Sequence, residues 1–328
     1  TQVALRAAVH RIHALSKQPA KFLAADEIAG LASAIAAHAA PPDVRVELDI
    51  TLGDLAVAKN QLADANQQYE AAYELAGQAF GSDDTLTVTA ESGLARVAAH
   101  QRRYADAQKL FEQVLASSRR VAGPDAPRVA RALGNLVNVL VAQGKLDNAA
   151  QLAQQALDIR LRAFGPGHPE VGASYMTLGA IYSETGDDKT AKEYFAKKLA
   201  IDEKAEGSDA VSIAADAENV GTEQSALGDY AGARASYERA LAIETAAYGS
   251  DDPRSAEVLG QLGAIEDHDR RYDVALADYR RAYDVIGKAD PGDPRAIDFL
   301  GGQVETLTHM GKLADARALE ERTATLME

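Results

Sequence analysis

His10 and His13 stand three residues apart, a spacing that sets two imidazoles on one face of a helix where a metal ion could bridge them. No third ligand adjoins them, and the pair reads as surface histidines. The acid pairs Asp83-Asp84 and Asp251-Asp252, with the acids Asp290 and Asp293, offer hard oxygen donors. They lack the alternating ligands and distal Glu of a calcium loop. Asp84, Asp252 and Asp293 each precede an expected helix start, where a carboxylate accepts the free N–H groups as a cap. Gly301-Gly302 falls inside an expected helix, so it is no phosphate-cradling loop. Glycine there costs roughly 1 kcal/mol each against Ala, which means either a ligand or a neighbouring helix packs close to that backbone. The chain has no Cys, which removes disulfides, thiolate metal sites and Cys nucleophiles together. These residues imply no enzyme, no metal and no cofactor.

The elements that would position any site must come from a chain of 328 residues that is 47% hydrophobic but only 5% aromatic, with no Trp. Alanine dominates the apolar set, a composition suited to helices packed closely through small side chains. The net charge of −15 disfavours nucleic acid and anionic membrane, both of which need clustered Lys and Arg. No apolar run approaches the ~18 residues of a membrane span, since Ser33 and His38 interrupt the Ala-rich stretch from Ile28 to Ala40. No secretory signal is visible, and a first residue Thr rather than Met suggests an excised or processed fragment. The cytoplasm and the periplasm both fit.

Self-similarity organises the rest. Gly81, Gly123, Gly165, Gly207 and Gly249 fall 42 residues apart, each where a helix should stop in a left-handed cap. Pro127, Pro169, Pro253 and Pro294 follow in phase, and proline suits a first helical position. Between these boundaries Ala65, Ala107, Ala149, Ala191, Ala233, Ala275 and Ala316 mark one recurring position. Short turns precede four of them, at Gly144, Gly186, Gly228 and Gly311; Asn60, Arg102 and Arg270 replace the glycine in the others. Each repeat reads as helix A, a tight turn, helix B and a loop. Tyr69, Phe111, Phe195, Tyr237 and Tyr279, four residues after the marker alanine, form a stripe expected to pack between helices. Two further helices, about 3–15 and 24–39, precede the repeats and would cap the open end of the array. The expected domains are thus residues 1–40, capping helices, and 41–328, seven repeats.

The run Asn135-Leu136, Gln143-Gly144-Lys145, Ala156-Leu157-Asp158-Ile159-Arg160 and Phe164-Gly165-Pro166-Gly167-His168-Pro169 resembles tetratricopeptide repeats. The resemblance is to the 42-residue kind found in kinesin light chains and many bacterial regulators. Ala240 to Glu244 with Tyr248 to Pro253 repeats it, and the likeness covers residues 42–328. Lys198, at a usually small position, and Gln303, in place of a helix A Leu, depart from the pattern. The resemblance implies an all-α, right-handed superhelical solenoid of antiparallel helix pairs, with helix A of each repeat lining the concave side. Fourteen residues before the marker alanine this projects Thr51, Gly93, Asn135, Thr177, Asn219, Gln261 and Gly302 inward. Amide side chains there both donate and accept, which suits an extended peptide backbone of any sequence. Arg96, Asn138 and His100 follow along the same helices, and Arg131 lies a turn before Asn135.

The expected groove residues are therefore Arg96, His100, Arg131, Asn135, Asn138, Thr177, Asn219 and Gln261. Arg96, His100 and Arg131 gather basic charge in repeats two and three, whereas Glu218, Glu257, Asp267, Asp298 and Glu305 gather acid in repeats five to seven. The competing reading of each is ordinary solvated surface. The expected function is protein or peptide binding, as a regulatory or sensing region of a bacterial signalling protein, by weak analogy downstream of a Ser/Thr kinase. The alternatives are a scaffold that self-associates, with Leu326 and Met327 near its end, and a small-ligand sensor.

Overall fold

The computed structural model describes residues 2–205, 207, 209–290 and 293–326. These fold into sixteen α-helices with no strand among them. The chain divides into two compact units, Thr1–Gly165 and Pro166–Glu328. The first holds α1 (Gln2–Ser16), α2 (Phe22–Ala39), α3 (Pro42–Ala58), α4 (Leu62–Phe80), α5 (Thr85–His100), α6 (Tyr104–Ala122), α7 (Pro127–Ala142) and α8 (Leu146–Phe164). The second holds α9 (Pro169–Glu184), α10 (Asp188–Asp202), α11 (Ala210–Ala226), α12 (Tyr230–Tyr248), α13 (Ser255–His268), α14 (Tyr272–Ala289), α15 (Arg295–His309) and α16 (Leu313–Leu326). Odd-numbered helices from α3 onward are the A helices and even-numbered ones the B helices, so the fold is an all-α repeat solenoid. The division between the units falls between the third and fourth repeats. Met327 and the side chain of Leu326 lie outside what is described, as do two positions between Asp290 and Asp293.

In the first unit α1 and α2 share one core with α3, through Leu5, Val9, Ile12, Ala25, Ala29, Ala32, Val44 and Leu48. Six of the seven marker alanines are wholly buried, and Ala316 is 4% exposed. Only a methyl group fits where helix B meets its neighbours, and that constraint fixes the repeat phase.

The tight turns explain the three substitutions for glycine. Asn60, Arg102 and Arg270 hold φ of 59°, 58° and 60°, the same left-handed conformation as Gly144 at 70°. A side chain in that region costs about 1 kcal/mol or more, so the helix packing on either side imposes the turn. Arg102→Gly is expected to raise stability by about 0.5–1 kcal/mol. A urea titration would show a higher midpoint at unchanged slope.

Pro127 and Pro169 open their helices as expected, but α13 and α15 begin after Pro253 and Pro294. There Asp252 accepts the Arg254 backbone N–H at 3.0 Å, and Asp293 accepts that of Arg295 at 2.9 Å. The first turn then closes through shorter-range bonds, such as Ser255 N to the Asp252 carbonyl at 3.1 Å. Asp84 caps α5 the same way, 2.8 Å from the Leu86 N–H.

Repeat four departs from the pattern at Lys198. Helix α10 ends at Asp202, whereas α4, α6, α8 and α12 run to the residue before their capping glycine. Lys198 is partly buried and pairs with Asp202 and, 3.0 Å away, with Asp216 of α11, which is 2% exposed. In repeats one and two the corresponding residues are Ala72 and Ala90, packed in one apolar cluster. An ion pair has replaced a methyl contact.

Candidate functional site

The aromatic stripe decides which inward positions are open. The Tyr69 ring lies against α3 and α5 where both helices carry glycine. A Cβ on Gly53 would come within 2.7 Å of the ring, and one on Gly93 within 2.3 Å. Tyr279 is held likewise by Gly263 and Gly302, at 3.1 and 2.5 Å. The close approach at Gly302 is therefore that of a neighbouring helix, and Gly301 has nothing near it. Gly93 and Gly302 receive the ring of the preceding repeat, so neither offers a side chain to a groove. Thr51 is also withdrawn, since its hydroxyl donates to the Glu47 carbonyl at 2.8 Å.

Arg96 is engaged within the first unit. Its guanidinium bonds both Asp54 and the Tyr69 hydroxyl, and that hydroxyl donates to Asp54 at 2.6 Å. Burial works against the Arg96 charge, but Tyr69 and Asp54 more than offset it and raise its pKa. Burial pushes the Tyr69 hydroxyl upward, so it stays protonated. Asp54 holds the same inward position on α3 as Arg96 and Asn138 on their helices and so was legible from the repeat phase, whereas the sequence placed Tyr69 in the packing stripe.

Beside this triad the unit opens. Arg96, His100, Tyr104, Phe111, Asn135 and Asn138 line a pocket of about 330 Å³ bounded by α5, α6 and α7. A smaller notch of about 80 Å³ adjoins it and includes Ser92, Ser118, Arg128, Arg131 and Asn135. Asn135 belongs to both. His100, Arg131, Asn135 and Asn138 have no side-chain hydrogen bond or ion pair among the described residues. Five of the eight expected groove residues thus border two adjoining cavities. Ser92, Ser118 and Arg128 escaped the sequence reading because they sit outside the projected inward row; only packing brings them to the notch.

In the second unit Thr177, Asn219 and Gln261 stand on α9, α11 and α13 and are partly buried. Thr177 donates to the Ala173 carbonyl of its own helix at 3.0 Å. Asn219 Nδ2 lies 3.9 Å from Met176 Sδ, and Gln261 Nε2 lies 3.4 Å from Glu257 Oε1. A pocket of about 430 Å³ is lined by Asp267, His268, Tyr272, Tyr279, Glu305 and His309. It occupies the same place in repeats six and seven that the Arg96 pocket occupies in repeats two and three. His309 Nδ1 is 2.7 Å from Asp267 Oδ2 within it. Glu218 adjoins Asn219 on α11, its pKa raised to about 7 by burial and then by Glu244 and Glu257.

No helix among the described residues is long and apolar enough to cross a membrane, and none of their His, Asp and Glu form a group suited to a metal ion. No curated protein sequence matches the chain significantly. Among solved structures, a putative kinesin light chain from Podosopora anserina with nearly identical TPR-like repeats is 22% identical, with TM-score 0.56 over 63% of this chain and 98% of that one. The apo form of RapI is 16% identical but superposes with TM-score 0.78, over 97% of this chain and 85% of that one. A Rap protein complexed with Competence and Sporulation Factor is 15% identical, with TM-score 0.54 over 99% and 96%. At these identities the likeness is one of fold. A tetratricopeptide repeat model matches the sequence over residues 46–120, 86–162, 128–204 and 214–288. With the helix pairs, the buried marker alanines and the repeated caps in place, the chain belongs to the tetratricopeptide repeat family, whose arrays are protein-interaction scaffolds.

Proposed function

We propose that the chain holds an extended peptide segment of a partner protein along the inner faces of its A helices, within the regulatory or sensing region of a bacterial signalling protein. One observation carries the reading. His100, Arg131, Asn135 and Asn138 surround two adjoining cavities with their hydrogen-bonding groups uncommitted to the protein. An amide that neither bonds its own chain nor lies buried is free to donate to and accept from one peptide unit. Arg131 adds an uncompensated positive charge suited to a carboxylate, whereas Arg96 serves to hold Tyr69 and to shape the wall. A solved complex between a Rap protein and a factor supports the idea that an array of this fold can hold another molecule. In the same reading α1 and α2 close the first unit by covering α3, and Thr177, Asn219 and Gln261 hold the equivalent row positions within the second unit.

A peptide-array screen against the chain, repeated with Arg131→Ala and Asn135→Ala, tests this. Each substitution is expected to weaken capture about tenfold, the loss of one or two directed hydrogen bonds. Capture undiminished by both would remove the groove site.

A further inference from the structure

The residues that line the notch beside Asn135 have counterparts three repeats along whose chemistry is reversed. Adding three periods of 42 residues carries Ser92 to Glu218, Ser118 to Glu244, Arg131 to Glu257 and Asn135 to Gln261. The corresponding elements, α11, α12 and α13, all lie in the second unit. Two small hydroxyls and one cation have thus become three carboxylates around an amide one methylene longer.

Glu244 is only 4% exposed, and its Oε2 has no hydrogen-bond partner among the described residues. A carboxylate oxygen left in that state costs free energy unless something outside the protein satisfies it. The adjacent cations are committed elsewhere. Arg254 Nε is 2.8 Å from Asp252 Oδ1, with its guanidinium 3.6 Å from the Tyr248 ring centre. Arg295 Nη2 is 2.6 Å from Asp293 Oδ2. Gln261 already donates toward Glu257. Burial and the neighbouring acids push the Glu218 carboxyl up to about 7 and also raise Glu244. Arg254 lowers the Glu244 pKa and Arg295 interacts with Glu257, but each makes its short contacts to an aspartate, and the net effect on Glu244 and Glu218 is still upward.

We propose that Glu218, Glu244 and Glu257 form a notch that receives one cationic side chain, an arginine above all, of the bound peptide; this rests on the peptide-binding reading above. A guanidinium presents several N–H donors in a planar fork and so can meet more than one carboxylate at once. The site sets where along the partner a basic residue must fall, and so makes the groove selective.

A positional-scanning library of acetylated nonapeptides, read by fluorescence anisotropy, tests it on the whole chain. Peptides retained by the wild-type chain should favour Arg or Lys at one position, and replacing that Arg by neutral citrulline should weaken binding at least tenfold. Glu257→Gln and Glu218→Gln should erase the difference between Arg and citrulline while leaving the rest of the sequence preference intact. Affinity for the Arg peptide should rise between pH 6 and 8, as Glu218, faced by Glu244, Glu257 and Tyr237, loses its proton. Peptides retained without any basic preference, or a preference that survives both substitutions, would overturn the notch and leave the groove standing. No retained peptide at all would overturn the groove reading and the notch with it. A melting temperature raised by 1 mM CaCl2 in the wild-type chain but not in Glu257→Gln, without a basic preference, would assign the site to a divalent cation instead.

Discussion

Lys198→Ala is expected to destabilise the second unit by about 3–5 kcal/mol, and Lys198→Ala combined with Asp216→Ala to restore most of that loss. The single change strands Asp216, 2% exposed, beside only Asp202. A buried carboxylate without its cation must bear its desolvation penalty or take up a proton. The double change recreates the methyl-to-methyl contact of Ala72 and Ala90, which packs the same junction in the first two repeats. Asp216→Ala alone should cost less, since Lys198 keeps Asp202. The pH dependence has a definite sign. Burial raises the Asp216 pKa even with Lys198 beside it. A group raised on folding contributes stability at low pH and loses it as pH rises through its folded pKa. The deficit of Lys198→Ala should therefore shrink as the solution is acidified from pH 7 toward 5. Urea denaturation of the four variants gives the coupling energy directly. A double variant as unstable as Lys198→Ala would show that the pair does more than replace a methyl contact.

Gly93→Ala should cost about 3 kcal/mol or more, at the upper end of what one added methyl usually does in a core. The new Cβ would stand 2.3 Å from Cδ1 of Tyr69, well inside van der Waals contact. The ring has little room to retreat, because Gly53 of the preceding A helix also packs on it, where a Cβ would lie 2.7 Å away, and the hydroxyl is tied to Asp54 and Arg96. Tyr69→Ala in the same chain should relieve the clash, so the double change costs less than the two singles together. Circular dichroism melts of the three variants measure this. Additivity would show that Tyr69 can move freely and that the glycine cradle is incidental. Gly302→Ala against Tyr279 offers the same test in the second unit, where the new Cβ would lie 2.5 Å from the ring.

The local periodicity of the chain carried a large share of the architecture. Glycine every 42 residues, proline or aspartate just beyond it, and one alanine per repeat are local signals. Caps, turns and helix faces are set within a few residues of sequence, so they are legible there. The same logic foretold that Asp84, Asp252 and Asp293 cap helices. The tetratricopeptide resemblance, not local rules, projected Asn135, Asn138, His100 and Arg131 toward a groove, and these four residues line two cavities.

Packing across repeats was beyond that reach. The sequence showed Gly93 and Gly302 in the groove row, but only the fold shows the Tyr69 and Tyr279 rings lying on them. Arg96 looked like free positive charge, and its partners Asp54 and Tyr69 lie in the preceding repeat. Lys198 looked like an irregularity until Asp216 was seen facing it from the next helix. Glu244 gave no signal, since helix B positions read as packing surface; its place beside Glu218 and Glu257 depends on three helices meeting. The physical reason is common to all four. A repeat sequence specifies each helix by local rules, but what a side chain meets is set by its neighbours in space, on other helices well outside its own local stretch of sequence.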